Sequence, residues 1–304
     1  MNACYPAKSW LSGKRMGARW LLAGSCCLAL LVGGGASVAT QRAQTQTDLK
    51  DTESPVPFDR GQPVVPVFEG WYRDASGVLH LSWGFLNRNF KEELRVPIGP
   101  DNHFEPGQPD QGQPTYFLPR RQWGAFAVVV PQDLEKKLAA EKKAITWTLR
   151  SHGQTTSVPA NTGPAYAVDA LVEPTVGNTP PFVRFEAPAM VRPGQGPGGV
   201  RATFKATVGK PLTIDVWVAD DGVTPPHREY RGVTLTWMPY RGAGGVTIAP
   251  AGPKIDAAGK ASVAATFSQP GDYTLRVEAI DINTHDFQCC WTNGYAAVSV
   301  SEAR

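Results

Sequence analysis

The stretch Pro270–Val300 constrains the fold of this chain more than any other part of the sequence. Apolar residues alternate with polar residues over Tyr273–Ile280, and the alternation returns over Tyr295–Val300. A period of two residues is typical of a β-strand that buries one face. The Pro-Gly pair at the start of the stretch is a turn signal. We therefore predict that the chain ends in two neighbouring strands of a β-sandwich.

Region 200–304 repeats this alternation at short intervals. Turns rich in Gly, Pro and Asp separate seven alternating runs. Seven short strands in a region of this length predict a β-sandwich of the immunoglobulin type, with Trp237 in its core and Tyr273 as a tyrosine corner. The predicted strands are Ala202–Val208, Leu212–Ala219, Val233–Met238, Gly245–Ala249, Ala261–Phe267, Tyr273–Ile280 and Tyr295–Val300.

Two sequence motifs resemble those of the bacterial Ig-like and PKD-type extracellular modules. They are Pro270-Gly-Asp-Tyr-Thr-Leu-Arg-Val-Glu-Ala279 and a terminal Val298-Ser-Val300. The resemblance covers region 200–304 only. It implies a β-sandwich and little about activity, because such sandwiches serve as adhesion, spacer and binding modules. The region departs from antibody domains, since it has no cysteine pair that would bridge the sheets.

Residues 63–173 predict a first β-sandwich module. Phe68–Arg73 and Val78–Leu86 flank an Asp-Ala-Ser-Gly turn, which favours a hairpin. Pro131–Lys143 is the one predicted helix. The motifs Glu69-Gly-Trp-Tyr and Asn87-Arg-Asn89 resemble motifs of secreted bacterial proteins. Residues 174–199 are rich in Pro and Gly and predict a linker. The expected fold is thus all-β, with two β-sandwich modules, the C-terminal one immunoglobulin-like with seven strands.

The start of the chain predicts export. Residues 1–39 combine basic residues, a short apolar run and an A-x-A-like cleavage site, as a secretory signal peptide does. Residues 40–62 are polar and predict a disordered leader. We expect a periplasmic or extracellular protein without a stable transmembrane segment after cleavage.

Charge and motifs limit the function classes. The chain of 304 residues carries a formal net charge of +3 and no basic stripe, so nucleic acid is not an expected partner. No Gly-x-Ser-x-Gly elbow, His-Glu-x-x-His or P-loop occurs, and no catalytic residue is assigned. We interpret the chain as a non-catalytic exported binding or structural protein of the bacterial cell envelope, with an envelope protein or a glycan as partner.

Two other functions stay open. An extracellular hydrolase would place its site in the long connection of the first module. That connection holds Asp101, Asn102, His103, Asp110 and the Arg120-Arg121 pair. That connection, Gly99–Gln122, is expected to pack across the first sandwich through its aromatic residues. A glycan-binding module would use exposed rings, although aromatic residues on strands are more often core. The rings considered are Trp71, Tyr72, Trp83, Phe85, Tyr116, Phe117 and Trp123.

The loops after strands two, four and six of an immunoglobulin-like sandwich meet at one pole. In this chain those loops are rich in oxygen ligands and histidines, so they are a candidate calcium site, with soft metals as the alternative; no other cofactor is expected. The ordinary alternative is that Asp and Asn stabilise turns. The candidate metal ligands are Asp220, Asp221, Asp281, Asn283 and Asp286, and the candidate ligand-binding residues are His227, His285 and Trp291.

Cys289 and Cys290 are the two cysteines that follow the signal peptide. Exported proteins meet an oxidising environment, so the pair could form a vicinal disulfide, bridge two chains or bind a metal. Two reduced, buried thiols are a further alternative. We hypothesise a vicinal disulfide that presents Trp291 at the pole of the sandwich.

Overall fold

β-Strands form nearly all the regular structure of the chain. The structure, a computed structural model, describes residues 58–187, 192–224, 226, 229–281 and 289–303. The predicted all-β class is confirmed. In chain order the elements are β1 (Val64–Arg73), β2 (Leu79–Asn87), β3 (Leu94–Arg95), β4 (Asn102–Glu105), β5 (Tyr116–Phe117), β6 (Arg120–Val130), α1 (Gln132–Glu141), β7 (Thr146–Ser151), β8 (Gln154–Pro159), β9 (Phe182–Arg184), β10 (Val200–Thr207), β11 (Leu212–Ala219), β12 (Val233–Arg241), β13 (Val246–Ala249), β14 (Lys260–Phe267), β15 (Gly271–Asp281) and β16 (Trp291–Ser301).

The first module contains two three-stranded antiparallel sheets, with the orders β1-β2-β6 and β4-β7-β8. Aromatic rings fill the space between them: Trp147 stacks on Phe104 at 5.6 Å and meets the edge of Phe126 at 5.2 Å. Trp83 and Trp147 are fully buried. The aromatic residues of these strands therefore lie mostly in the core, as is usual for aromatic residues on strands.

Helix α1 lies within the predicted helical stretch. It begins after Pro131 and ends at Lys142 in the left-handed conformation. Leu138 is its buried residue, which packs into the core of the first module. Within the described residues, no helix has the length and apolar character that a membrane span requires.

The second module consists of two four-stranded sheets, with the orders β10-β16-β15-β12 and β13-β14-β11-β9. These orders match an immunoglobulin sandwich, in which the second, fifth and fourth strands share one sheet and the third, sixth and seventh share the other. β10 runs parallel to β16, whereas β15 and β16 form the antiparallel pair predicted for the end of the chain. The seven predicted strands are present, and β9 adds an eighth from the predicted linker.

Two predicted landmarks of the sandwich are confirmed. Trp237 is buried in the core between the two sheets. The Tyr273 hydroxyl lies within hydrogen-bond distance of two carbonyl oxygens, those of Gln269, at 3.0 Å, and Gly244, at 3.2 Å. A bond to the backbone a few residues upstream is the geometry of a tyrosine corner.

The connection 99–122 packs as predicted, but it contacts both modules rather than the first one alone. Tyr116 and Phe117 are buried in it. The Tyr240 hydroxyl of β12 donates to the Gly112 carbonyl oxygen at 2.6 Å, and Arg241 forms a bidentate ion pair with Asp110. The connection therefore links the first sandwich to the edge of the second.

Residues 174–199 do not behave as a free spacer where the structure describes them. The Gly198 amide donates to the Tyr72 hydroxyl of β1, and the Gly196 amide donates to the Thr292 hydroxyl of β16. The segment thus bonds to both modules. Residues 58–62, the described part of the predicted disordered leader, are instead bonded to the fold, since the Gln62 amide donates to the Asn89 side chain at 2.7 Å. The predicted signal peptide and the rest of the leader, residues 1–57, lie outside the described residues.

Candidate ligand cleft between the two modules

The two sandwiches meet where side chains of β16 bond to the backbone of β6. Three successive outward-facing side chains of β16 donate hydrogen bonds to two carbonyl oxygens of β6. Trp291 and Asn293 reach the carbonyl oxygen of Gly124, at 3.3 and 2.8 Å, and Tyr295 reaches that of Ala125 at 2.8 Å. All three donors are buried, so the contact between the modules is both polar and shielded from water.

A cleft of about 280 Å³ opens beside this contact. Its volume is close to the lower end of the range of about 300–1,000 Å³ that small-molecule sites occupy. Both modules and the segment between them contribute to its walls. The lining residues are Val67, Phe68, Glu69, Ser82, Arg121, Trp123, Val168, Ala170, Pro197 and Trp291.

Two strand irregularities place the charged residues of the cleft. The β1–β2 register shifts between Phe68 and Gly70, so that Glu69 is the extra, unpaired residue of a bulge. The β2–β6 register shifts next to it, around Gly84. A bulge re-aims a side chain and bends its strand, and bulges are common beside functional sites. Glu69 is thereby directed across β2 toward β6.

Glycines leave the room that this arrangement needs. A Cβ atom on Gly84 would collide with the Glu69 carboxylate and with the backbone of Gln122. A Cβ atom on Gly124 would collide with the Trp291 indole, and Gly124 also has a φ of +43°. The sequence therefore places glycine where Glu69 crosses the sheet and where the second module docks on the first.

Glu69 and Arg121 form the polar centre of the cleft. Nη2 of Arg121 lies 2.6 Å from Oε1 of Glu69, and the other Glu69 oxygen accepts the Gly124 amide hydrogen. Burial raises the pKa of the Glu69 carboxyl, and the charge of Arg121 opposes that rise in part. Nη1 of Arg121 donates to the carbonyl oxygens of Gln122 and Phe85. The two charged groups thus use most of their hydrogen-bonding capacity on the protein itself.

An exposed indole stands at the rim of the cleft. Trp123 is 46 % exposed, and the Arg121 guanidinium lies 3.9 Å from the centroid of its ring. Tyr166 is 45 % exposed and contacts Phe68, which lines the cleft, at 6.1 Å between ring centroids. A guanidinium stacked on one side of an indole restricts the ring while leaving its remaining surface accessible. Trp123 is therefore a supported platform rather than a loose side chain.

Of the aromatic residues considered for glycan binding, five are buried, and Trp71 is half-buried and donates to the Gly163 carbonyl oxygen. Trp123 alone among those seven is exposed. The predicted aromatic set is thus reduced to one ring. The buried members are Tyr72, Trp83, Phe85, Tyr116 and Phe117.

Cys289 and Cys290 lie directly before β16, with their Cα atoms 3.2 Å apart and their sulfurs joined. Both residues are buried, and Cys290 Sγ contacts the Asn178 carbonyl oxygen at 3.6 Å. Trp291 follows them, but it faces the first module and the cleft instead of standing exposed at the pole. The oxidation state in solution stays a prediction.

The pole of the second sandwich brings three of the predicted metal ligands near one another. Burial raises the pKa of Asp220, and the charges of Asp281 and Asp221 add to that rise. Each of the three also has a structural role: Asp281 accepts from Asn178 at 2.7 Å, Asp221 accepts from Thr179, and Asp220 accepts the Gly222 amide.

His227, Asn283, His285 and Asp286 lie outside the described residues. Among the residues that the structure does describe, no three His, Cys, Asp or Glu side chains are grouped so that they could hold a metal ion. Calcium binding at the pole therefore stays a prediction.

Asn102 and Asp110, two of the polar residues proposed for a hydrolase in the first module, have structural roles. Asn102 is fully buried and donates to two carbonyl oxygens while accepting from the Trp147 indole at 3.0 Å. Asp110 is paired with Arg241, and Asp101 lies exposed, 4.0 Å from Arg150. Arg121 is the one member of the proposed set that lines the cleft.

The sequence patterns did not indicate Glu69 as a site residue, although it belongs to the Glu69-Gly-Trp-Tyr motif. The paired residues Glu69 and Arg121 are 52 positions apart, and strand bulges bring them together. Gly84 in the middle of a strong strand was the available signal, since an isolated glycine in a strand pattern indicates a bulge or a close approach.

Comparison with known proteins adds no family assignment. No protein-family model matches the chain, and no curated protein matches it. The D00-D0 domain of intimin matches 79 % of this chain and 100 % of its own, with 10 % identity and a TM-score of 0.25. The Yersinia pseudotuberculosis adhesin InvE matches 78 % of this chain and 58 % of its own, with 12 % identity and a TM-score of 0.23.

The seventh PapD-like domain of human CEP192 matches 44 % of this chain and 95 % of its own, with 13 % identity and a TM-score of 0.28. At these identities and TM-scores, none of the three similarities carries an argument about fold or function. The immunoglobulin-like assignment therefore rests on the strand order and the tyrosine corner of this chain.

Proposed function

We propose that this chain is a non-catalytic exported binding protein of the bacterial cell envelope, and that it binds a glycan in the cleft between its two modules. The observation that carries the proposal is the Trp123 indole, 46 % exposed and held against the Arg121 guanidinium at the rim of that cleft. An accessible ring contributes less to folding than a buried ring would, and tryptophan is enriched at binding interfaces.

The chemistry of the cleft supports a neutral ligand. The carboxylate and the guanidinium offset each other's charge, and most of their hydrogen-bonding atoms are already occupied. The walls are otherwise mainly apolar, with Phe68, Val168 and Trp291 among them. A sugar ring has apolar faces that can stack on an indole and hydroxyl groups that can reach the polar edge.

Rigid junction contacts also support ligand binding. The bonds from Asn293 and Tyr295 to β6 fix the two walls of the cleft relative to each other. A preformed site loses less conformational entropy when a ligand binds. The predicted signal peptide supports export, since it would direct the chain across the inner membrane.

An extracellular hydrolase is the second candidate, and Glu69 is the observation that favours it. A carboxyl group with a raised pKa in a cleft is a candidate general acid. Against this, both of its oxygens are bonded to Arg121 and Gly124, and among the lining residues it is the single carboxylate. Glycoside hydrolysis ordinarily uses a pair of carboxylates.

The experiment is a glycan array with the mature chain, followed by titration of the best-retained glycan against Trp123→Ala. We expect the substitution to weaken binding at least tenfold, or about 1.4 kcal/mol, because aromatic anchors dominate binding energies. Phe90→Ala is the matched control: Phe90 is 46 % exposed and Arg120 lies 4.1 Å from its centroid, yet it does not line the cleft.

Equal binding by Trp123→Ala and the wild-type protein would refute the site, and no retained glycan on the array would refute the ligand class. Glu69→Gln separates the two candidate functions. A hydrolase that uses this carboxyl as its acid would lose most of its activity on the retained glycan, whereas a binding protein would release no product in either form.

A further inference from the structure

We infer a second ligand site on the second module, a trough on the outer face of the β10-β16-β15-β12 sheet that binds an oxyanion group, either a carboxylate or a phosphate. The trough has a volume of about 320 Å³. It shares no lining residue with the cleft at Trp123. Its lining residues are Gly112, Arg201, Ala202, Thr203, Tyr240, Arg241, Thr274, Tyr295 and Ala297.

Small residues in one row across the sheet create the trough. Thr203 pairs with Ala297, and Ala297 pairs with Thr274, so a methyl group lies between two hydroxyl groups on neighbouring strands. Ala297 is exposed, although β16 is an interior strand of this sheet. The next row on the same face of the sheet holds the large side chains Arg201 and Tyr295. The step from large to small side chains leaves a recess whose floor carries two hydroxyl donors.

Charge makes this recess selective for an anion. Arg241 is paired with Asp110, and the neighbouring buried Arg276 is paired with Glu278. Arg201, in contrast, has no carboxylate within ion-pair distance among the residues that the structure describes. Two carboxylates, those of Asp110 and Glu278, thus balance only two of the three guanidinium groups. The recess keeps one positive charge that the protein does not neutralise.

Arg201 is positioned to use that charge. Its guanidinium lies 4.9 Å from the centroid of the Tyr295 ring, and a Cβ atom on Gly112 would be 3.6 Å from its Nη2. The side chain therefore lies across the trough with its donors beside the opening. A guanidinium offers paired N–H groups that match the two oxygens of a carboxylate or phosphate. Tyr295 stays uncharged beneath it, because burial raises the pKa of its hydroxyl to about 12.

The test is an NMR titration of the exported chain with sodium glucuronate, inorganic phosphate and, as the neutral control, glucose. We expect glucuronate, phosphate or both to shift the amide signals of Thr203, Thr274 and Ala297, and glucose to leave them in place. Shifts with glucuronate alone would assign a carboxylate ligand, and shifts with phosphate alone would assign a phosphate group. No shift with either anion at millimolar concentration would overturn the proposal.

Arg201→Met removes the charge and keeps a stem that can pack on Tyr295, so the fold should persist. We expect it to weaken anion binding at least about tenfold. Lys205→Ala is the matched control, since Lys205 is exposed four residues after Arg201 on the same strand and does not line the trough. Equal losses in both variants would show a general electrostatic attraction instead of a site. Trp123→Ala should not change anion binding, which keeps this test independent of the cleft.

Discussion

Asn293→Ala is expected to destabilise the whole protein, because this one side chain joins both modules. Asn293 is fully buried. Its amide nitrogen donates to the carbonyl oxygens of Gly124, at 2.8 Å, and Pro197, at 3.0 Å. Its amide oxygen accepts from Nε of Arg276 at 2.9 Å, and Arg276 is itself 1 % exposed. The substitution therefore removes three buried hydrogen bonds at once.

The magnitude follows from what is left unpaired. Two lost bonds to carbonyl oxygens cost about 1 kcal/mol each, and a charged donor without its partner costs about 1–3 kcal/mol more. The Trp291 indole still donates to the Gly124 carbonyl oxygen, at 3.3 Å, which limits the loss. We expect a loss of about 3–4 kcal/mol. For a protein of this size that lowers the melting temperature by on the order of 10 °C.

The assay is urea unfolding followed by tryptophan fluorescence, with a thermal melt on the same samples. Asn161→Ala is the control: Asn161 is exposed and accepts a hydrogen bond from the Gly163 amide, so its loss should stay within about 0.5 kcal/mol. A loss below about 1 kcal/mol for Asn293→Ala would refute the reasoning. So would a wild-type protein that unfolds in two separate transitions, because the junction would then not couple the modules.

Two further outcomes are expected. The folded state raises the pKa of Glu69 above its usual value of 4.5. The stability that this group contributes is therefore complete below pH 4.5 and is lost as the pH rises through the raised pKa. Relative to Glu69→Gln, the wild-type protein should become less stable as the pH rises from 4.5. Urea unfolding between pH 4 and 7 measures this, and a difference independent of pH would contradict it. Thiol titration of the unfolded, unreduced mature protein should find no reactive thiol at Cys289 and Cys290, whereas two thiols per chain would exclude the disulfide.

The sequence by itself determined the strands of the second module. In the predicted strand Leu212–Ala219, Ile214, Val216 and Val218 are buried and the residues between them are not. Such alternation depends on the chain's own period of two, so it can be read without knowing any partner strand. The tyrosine corner could be predicted for the same reason, because its bond spans four residues.

The site depended on contacts that no local pattern encodes. Trp123 was recognised as a candidate ring, but the six other rings in its set carry the same strand signal and lie buried or half-buried. Whether an aromatic residue on a strand is core or surface depends on which face the sheet covers. Here a bulge turns Trp123 outward, and the partner strand decides that geometry.

Only the tertiary structure decided how the two modules are joined. Sequence composition separated them by a Pro- and Gly-rich linker, since such residues usually mark flexible connections. In the fold, the glycines of that segment let its backbone approach closely: Gly194 and Gly199 have no room for a side chain against Thr292 and Asn293. The same residue type permits a flexible tether or a tight junction, and the partner surface across the gap selects between them.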